Sequence, residues 1–342
     1  MRVAIVNDSM MALECLRRVI VLSEHEIVWV AHDGAEAVWR CGQDTPDLIL
    51  MDLIMPVMDG VEATKRIMSS TPCAIVVVTS TVSGNASKVF RAMGSGALDA
   101  VNTPVLGMSG DEKGKEELLE KISTVEKLIR QKKKDVEIVA PTVNDARYYR
   151  SKETLICIGA SSGGPNALAQ VLSSLPKDFK PPVVIVQHVD EQFSRELALW
   201  LNNQCALDVR LAEKDDVLNS GQVLIAGSNR HLVMTQGKHL DYTSYPEALA
   251  YRPSVDVFFN SVAEYWRGDV VAILLTGMGR DGAEGLLRLR NKGAHTIAQD
   301  ESSCAVYGMP KAAANIGAAA DILPLDAIGP ALTGLFDNMN NK

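Results

Sequence analysis

Three residues able to do acyl chemistry each follow a short apolar run. Ser161 follows Leu155-Ile156-Cys157-Ile158-Gly159-Ala160, and His188 follows Val183-Val184-Ile185-Val186-Gln187. Asp281 lies in the turn Thr276-Gly277-Met278-Gly279-Arg280-Asp281-Gly282, directly after the apolar run at 270–275. Runs of this length read as buried strands of a parallel sheet, and helical patterns follow them, as in Ala167, Leu168, Val171 and Leu172 behind Ser161. The carboxyl ends of parallel strands share one edge of the sheet. A hydroxyl, an imidazole and a carboxylate therefore emerge together. Acyl transfer needs that set: a nucleophile, a general base to take its proton, and an acid to orient the imidazole. The glycines of the 276–282 turn can also present backbone N–H groups to an oxyanion beside a helix N-terminus.

Gly159-Ala160-Ser161-Ser162-Gly163 fits the G-x-S-x-G spelling of a nucleophile elbow, whose fold orders its triad serine, acid, histidine. That order would make His295 the base. His295, however, precedes the strand at 296–298 and so belongs to the opposite, amino end of the sheet. His188 is the better base, and the order Ser, His, Asp is not that of the α/β-hydrolases. Plainer readings exist for each residue alone. A strand-terminal histidine can be structural, Asp281 can be the N-cap of the next helix, and a glycine turn can be a tight connection. A phosphate cradle has less support at this turn. Residues 159–164 do not spell G-x-G-x-x-G, and the chain has no G-x-x-x-x-G-K-[ST] loop. The joint placement of the three residues favours catalysis.

A second constellation lies nearer the amino terminus. Residues 2–6, 27–31, 48–51, 74–78 and 97–101 read as strands with helical patterns between them. Five strand–helix units imply a doubly wound sheet. Its strand ends carry Asp8, Asp52 and Thr79, with Thr103 opposite. Two converging carboxylates suit a hard cation such as magnesium, and a hydroxyl suits a phosphoryl oxygen. Any one of these alone could be a solvated loop residue, but three at one edge weaken that reading.

Between the two constellations, Leu118, Leu119, Ile122, Val125, Leu128 and Ile129 recur at helical spacing, and residues 130–134 form a short basic run that reads as a solvated linker face. Residues 135–151 show no periodicity. The organisation is thus an α/β domain at 1–122, a helical and irregular linker at 123–151, and a second α/β domain at 152–342. Strands of the second domain are expected at 155–158, 183–186, 208–211, 222–226, 270–275 and 296–298. The strand at 222–226 is expected to turn through 227–230 and pair antiparallel with 232–234. Both domains are doubly wound.

The 342 residues suit two domains, and 47% apolar with 22% charged residues is an ordinary globular balance. A net charge of −8 argues against a nucleic-acid partner and offers no basic membrane surface. The six cysteines (15, 41, 73, 157, 205, 304) contain no Cys-x-x-Cys pair and fit a reducing cytosol. No apolar run approaches the roughly 20 residues of a membrane helix, so a cytoplasmic protein with no direct membrane insertion is expected.

Over roughly residues 1–120 the chain resembles the flavodoxin-like receiver domain of two-component response regulators. Asp52, with Leu53-Ile54-Met55-Pro56-Val57-Met58-Asp59-Gly60, matches the phosphoacceptor motif, and Thr79 matches the switch hydroxyl. The resemblance implies magnesium held by Asp8, Asp52 and the backbone carbonyl of Ile54. Two positions depart from the pattern. Asn7 replaces the first of two acidic residues, and Thr103 replaces the lysine of a Lys-Pro pair. Both departures imply weakened magnesium binding and an atypical phospho-switch.

Over about residues 152–340 the chain resembles the catalytic domain of the chemotaxis protein-glutamate methylesterases, the CheB family. The matching stretches are residues 158–164, Gln187-His188, Arg252-Pro253-Ser254-Val255-Asp256, residues 276–283 and Gly308-Met309-Pro310. The resemblance implies Ser161 as nucleophile, His188 as base, Asp281 as orienting acid and the Met278 backbone N–H as oxyanion donor, with no cofactor for catalysis. It further implies γ-methyl glutamates of methyl-accepting chemoreceptors as substrate, glutamine deamidation in some members, a CheA-type histidine kinase as phosphodonor, and a receiver that covers the active-site mouth until phosphorylated. Within the family the Ile5-Val6-Asn7-Asp8 start and Asn102-Thr103-Pro104 look most like the methylesterase of Wsp-type surface-sensing clusters. Two other classes stay open on the residues alone: a serine esterase or amidase acting on another substrate, and a non-catalytic phospho-regulated scaffold.

Overall fold

Apolar runs alternating with amphipathic stretches fold into two α/β units, Met1–Glu137 and Ile138–Lys342. The structure, a computed structural model, describes residues 1–132 and 153–340 apart from 24, 81, 82, 105–111, 248 and 250. Residues 123–132 of the expected linker are the carboxyl half of a helix, and its remainder lies outside the described residues.

The first unit runs β1 (Arg2–Val6), α1 (Met10–Val21), β2 (Glu26–Ala31), α2 (Gly34–Gln43), β3 (Leu48–Met51), α3 (Gly60–Ser70), β4 (Ala74–Thr79), a 3-10 turn (Ser83–Asn85), α4 (Ala86–Gly94), β5 (Asp99–Asn102) and α5 (Glu112–Lys132). The sheet is parallel in the order β2-β1-β3-β4-β5. Ser9, Asp33 and Asp59 cap the first three helices through side-chain oxygens, which fixes where each helix leaves the strand ends. The strand order reverses between β1 and β3, where Val6 pairs with Met51. Asp8 and Asp52 are thereby delivered to one crevice.

The second unit runs β6 (Thr154–Ala160), α6 (Gly164–Ser173), β7 (Val183–Gln187), α7 (Glu191–Asn202), β8 (Asp208–Leu211), β9 (Gln222–Ile225), β10 (His231–Met234), β11 (Leu240–Thr243), α8 (Val255–Tyr265), β12 (Asp269–Leu274), α9 (Ala283–Asn291), β13 (His295–Gln299), α10 (Met309–Asn315), β14 (Asp321–Leu323) and α11 (Leu325–Asn340). Its parallel sheet has the order β14-β13-β12-β6-β7-β9-β8. Every residue of β6 is buried, as a central strand covered by helices on both faces requires. With β12 on one side of β6 and β7 on the other, the turns after all three strands open onto one crevice.

The antiparallel hairpin forms with different strands from those expected. Both edges of β9 are taken by β7 and β8 in parallel pairing. The chain therefore leaves the sheet through residues 227–230, and β10 pairs antiparallel with β11 instead. His295 opens β13 opposite Val271, at the amino end of the sheet, and bonds Asp321 at 2.9 Å.

At Gly159 the first residue of α8, Val255, packs directly against the backbone of β6. A Cβ there would lie 2.3 Å from Val255 Cγ1 and 3.0 Å from Leu274 Cδ1. Gly159→Ala is expected to cost about 1–3 kcal/mol through overpacking, read as a lower midpoint of chemical denaturation. Gly334→Ala in α11, with open space around the added methyl, is expected to gain about 0.5–1 kcal/mol.

Candidate active site

Ser161 and His188 follow residues that face each other on adjacent strands, since Ala160 pairs with Gln187. The His188 N–H donates to the Ala160 carbonyl at 3.0 Å, and the Ser161 N–H donates to the Thr276 carbonyl at 3.0 Å. The ends of β6, β7 and β12 are thus tied edge to edge. Asp281, five residues past Thr276, turns back so that its Oδ2 lies 2.8 Å from His188 Nε2. Oxygen Oδ2 only accepts at neutral pH, so Nε2 carries the proton and Nδ1 is left as the lone-pair nitrogen. Nδ1 is buried without a hydrogen-bond partner. The Tyr251 ring stacks on the imidazole, with centroids 4.4 Å apart and planes 4° from parallel, and restrains it from swinging.

Asp281 sits at the N-terminus of α8. Its Oδ1 accepts from the Ser254 hydroxyl at 2.7 Å and from the Asp256 N–H at 3.1 Å; its Oδ2 also accepts from the Val255 N–H at 2.7 Å. Burial alone would raise this carboxyl. The bonds from His188, Ser254 and Val255 outweigh burial and hold it below the usual carboxylate range. It stays ionised. Asp256 returns the arrangement: from the first turn of α8 its Oδ1 accepts the Gly285 N–H, at 2.6 Å, in the first turn of α9. Each helix N-terminus therefore receives a carboxylate from the other helix's start. Gly282 makes the tight turn into α9 with φ +88°. Burial pushes the Asp256 carboxyl up to about 6, and the neighbouring charge of Asp281 adds to the rise.

The turn that carries Ser161 is clamped from below. The Gln187 side-chain amide, 2% exposed, donates to the carbonyls of Ser161 (2.9 Å) and His188 (3.1 Å). A methyl at Gly164 would lie 2.0 Å from Gln187 Oε1, so glycine is required beside that clamp. The Thr276 hydroxyl donates to the Ser162 carbonyl at 3.0 Å and accepts from the Val306 N–H at 2.8 Å. The Gly277 carbonyl accepts the amides of Gly308 and Met309. These bonds pin the turn holding Met278, and a methyl at Gly277 would meet Ser161 Cβ at 2.8 Å.

In the first unit, Asp52 Oδ1 accepts the Leu53 N–H at 2.7 Å. Burial pushes the Asp52 carboxyl up to about 6; Asp8 adds to the rise, and Lys88 on α4 opposes it. Thr79 is buried, and its hydroxyl accepts from the Asn85 side-chain amide at 3.1 Å. Thr103 meets the same strand end through its backbone, donating to the Thr79 carbonyl at 2.9 Å. Asn7 is also buried and uses its Oδ1 to accept the Ser9 N–H at 2.8 Å. Its amide caps its own loop. No group of three or more His, Cys, Asp or Glu side chains suited to a metal ion occurs among the described residues. Two repelling carboxylates remain, Asp8 and Asp52, and carboxylate oxygens are donors of the kind magnesium takes.

Sequence reasoning named Ser161, His188 and Asp281, and the structure gathers them at one crevice. It assigned no role to Gln187, Tyr251, His231 or Lys88. Ser254 carried a readable signal, a serine just ahead of an apolar helical pattern. The other four are placed by tertiary packing.

A CheB methylesterase family model matches residues 156–332, and a response regulator receiver domain model matches residues 3–107. The chain is 54% identical to protein-glutamate methylesterase/protein-glutamine glutaminase 3 of Pseudomonas aeruginosa, covering 98% of this chain and all of that protein. It is 52% identical to the protein-glutamate methylesterase/protein-glutamine glutaminase of group 3 operon of Pseudomonas putida, covering 98% of this chain and 99% of that one. The solved CheB methylesterase catalytic domain of Thermotoga maritima superimposes with a TM-score of 0.51 at 34% identity, covering 54% of this chain and all of that domain.

The raised Asp256 carboxyl sets a pH test. Its native state holds a proton more tightly than the unfolded chain, so its contribution is most favourable below pH ~4 and is lost as pH rises towards 6, a change of about 3 kcal/mol. Asp256→Asn keeps an acceptor for Gly285 without the charge. Unfolding free energies measured from pH 4 to 7 are expected to show wild type losing stability relative to Asp256→Asn across that window; parallel curves would show that the carboxyl is not raised.

Proposed function

Because the chain belongs to the CheB methylesterase family, with a response-regulator receiver ahead of the esterase domain, we propose that Ser161, His188 and Asp281 are its catalytic triad and that methylated chemoreceptors are its substrate. The activity is hydrolysis of glutamate γ-methyl esters, with glutamine deamidation as the parallel reaction on an amide. The observation that carries the assignment is the His188–Asp281 bond at 2.8 Å, which leaves Nδ1 without a partner beside the Ser161 turn.

Each step follows from that arrangement. The Ser161 hydroxyl attacks the γ-carbonyl carbon while His188 Nδ1 takes its proton. The imidazolium that forms is stabilised by Asp281, which stays ionised. The Met278 backbone N–H receives the developing oxyanion. His188 then returns the proton to the departing methoxide, and methanol leaves. Water, deprotonated by the same nitrogen, hydrolyses the glutamyl-serine ester, and the proton goes back to Ser161. With glutamine as substrate the leaving group is ammonia. Asp281 fixes which nitrogen of His188 is the base throughout.

In the receiver, Asp52 is the phosphoacceptor, and Thr79 and Thr103 are the switch positions. Asp8, Asp52 and the Ile54 carbonyl would hold magnesium. When bound, the cation offsets the carboxylate charge and that of the incoming phosphoryl group. Asn7 adds no charge to the cation, and Thr103 offers the phosphoryl group no ammonium, so weaker magnesium binding and a shallower response than in receivers with the acidic pair and lysine are expected. A CheA-type histidine kinase supplies the phosphoryl group. The domain bounds 1–122, 123–151 and 152–342 belong to the same proposal.

Methanol release from methylated receptor, with and without a small phosphodonor, tests both domains. Ser161→Ala is expected to lower the rate by about 10³-fold or more. Asp52→Asn should retain the basal rate and lose the response to phosphodonor. Unchanged methanol release in Ser161→Ala would exclude this serine as nucleophile.

A further inference from the structure

A second histidine stands behind the acid of the triad. His231 opens β10 and is fully buried. Its Nδ1 accepts the Ser254 backbone N–H at 3.1 Å, and its Nε2 lies 3.2 Å from the Pro246 carbonyl. An amide can only donate and a carbonyl can only accept, so the partners dictate the neutral Nε2–H tautomer. Burial also holds this imidazole below the usual histidine value, opposed by the Pro246 carbonyl; of the charged groups around it, Arg252 lowers it and Asp281 raises it. Ser254 is the N-cap of α8: its hydroxyl accepts the Val257 N–H at 3.3 Å and donates to Asp281 Oδ1 at 2.7 Å. The backbone amide that His231 grips therefore belongs to the residue that aims both a hydroxyl and the first free amides of α8 at the catalytic carboxylate. One bond sequence runs from Pro246 through His231, Ser254 and Asp281 to His188.

β10 is held against α8 at a second point, where the Met234 N–H donates to the Ser261 hydroxyl at 2.8 Å. The hairpin is thus a strut along α8, fixed near the helix start by His231. We infer that His231 is a positioning residue for the triad, setting the direction of the α8 N-terminus so that Asp281 presents Oδ2 to His188. The inference rests on the triad reading above. Without the Nδ1 acceptor, the Ser254 amide is buried unpaired. Ser254 must then turn to satisfy it, and Asp281 loses its aim. Binding of the substrate does not pass through this sequence of bonds, so the loss belongs in kcat.

Two polar replacements separate the halves of the His231 side chain. In His231→Asn the amide oxygen sits near the former Nδ1 and can still accept from Ser254; in His231→Gln the amide reaches towards Pro246 and leaves Ser254 unserved. Steady-state methanol release by the full chain, acting on a helical peptide carrying a glutamate γ-methyl ester, reads the outcome, with folding checked by circular dichroism. His231→Gln is expected to lose about tenfold to a hundredfold in kcat with KM within twofold, and His231→Asn to recover most of that loss. In an Asp281→Asn background, His231→Gln is expected to add less than twofold. Equal losses in both backgrounds, a loss confined to KM, or His231→Asn as impaired as His231→Gln would overturn the inference. Should Asp281→Asn itself leave kcat unchanged, the triad reading fails instead, and the inference fails with it. If His231→Gln does not fold, His231→Asn alone decides: activity within about threefold of wild type supports the role, and a hundredfold kcat loss in folded protein ends it.

Discussion

A buried carboxylate must be surrounded by donors or lose its charge, and that constraint organises the catalytic domain around Asp281. Its two oxygens accept from Ser254, Val255, Asp256 and His188. Three of the four donors come from one helix start, where unpaired amides and the helix dipole favour negative charge. The exchange is mutual, because Asp256 serves the start of α9 in return. Neither helix can rotate without disturbing the other's first turn. Two loops that share no sequence are held together this way, and the orientation of His188 follows from their union.

The receiver meets a similar constraint with fewer resources. Asp52 is half-buried with the charge of Asp8 acting on it, and its carboxyl is pushed up, which is the signature of charge left without enough compensation. Asn7 spends its oxygen on the Ser9 amide, and Thr103 joins the strand end through its backbone. Lys88, one helix away, is a cation that does act on Asp52. The local chemistry around Asp52 is therefore less charged on both sides, anionic and cationic, than the receiver pattern prescribes.

Much of this was legible in the residues. Strand runs ending in Ser161, His188, Asp8 and Asp52 placed all four at carboxyl edges, because parallel strands buried on both faces leave few alternatives for an apolar run of that length. The rejection of His295 also followed from chain direction alone, and the structure places it at the amino end beside Asp321. What remained hidden depends on packing between distant segments. The hairpin partner of β10 was misread because occupancy of both edges of β9 is a property of the whole sheet. His231 and Gln187 look like ordinary strand residues until the backbone groups they hold are known. Tyr251 gives no periodic signal before its ring is found on His188.

His188 turns its outer nitrogen to Asp281 and leaves the one nearer its own main chain without a hydrogen-bond partner. The outer nitrogen is closed off by Asp281, and one ring face is covered by Tyr251. An electrophilic ester mimic entering from the serine side would meet only the inner nitrogen. The position of its alkyl group on the recovered histidine would therefore act as a compass for the ring, recording which nitrogen Asp281 leaves open.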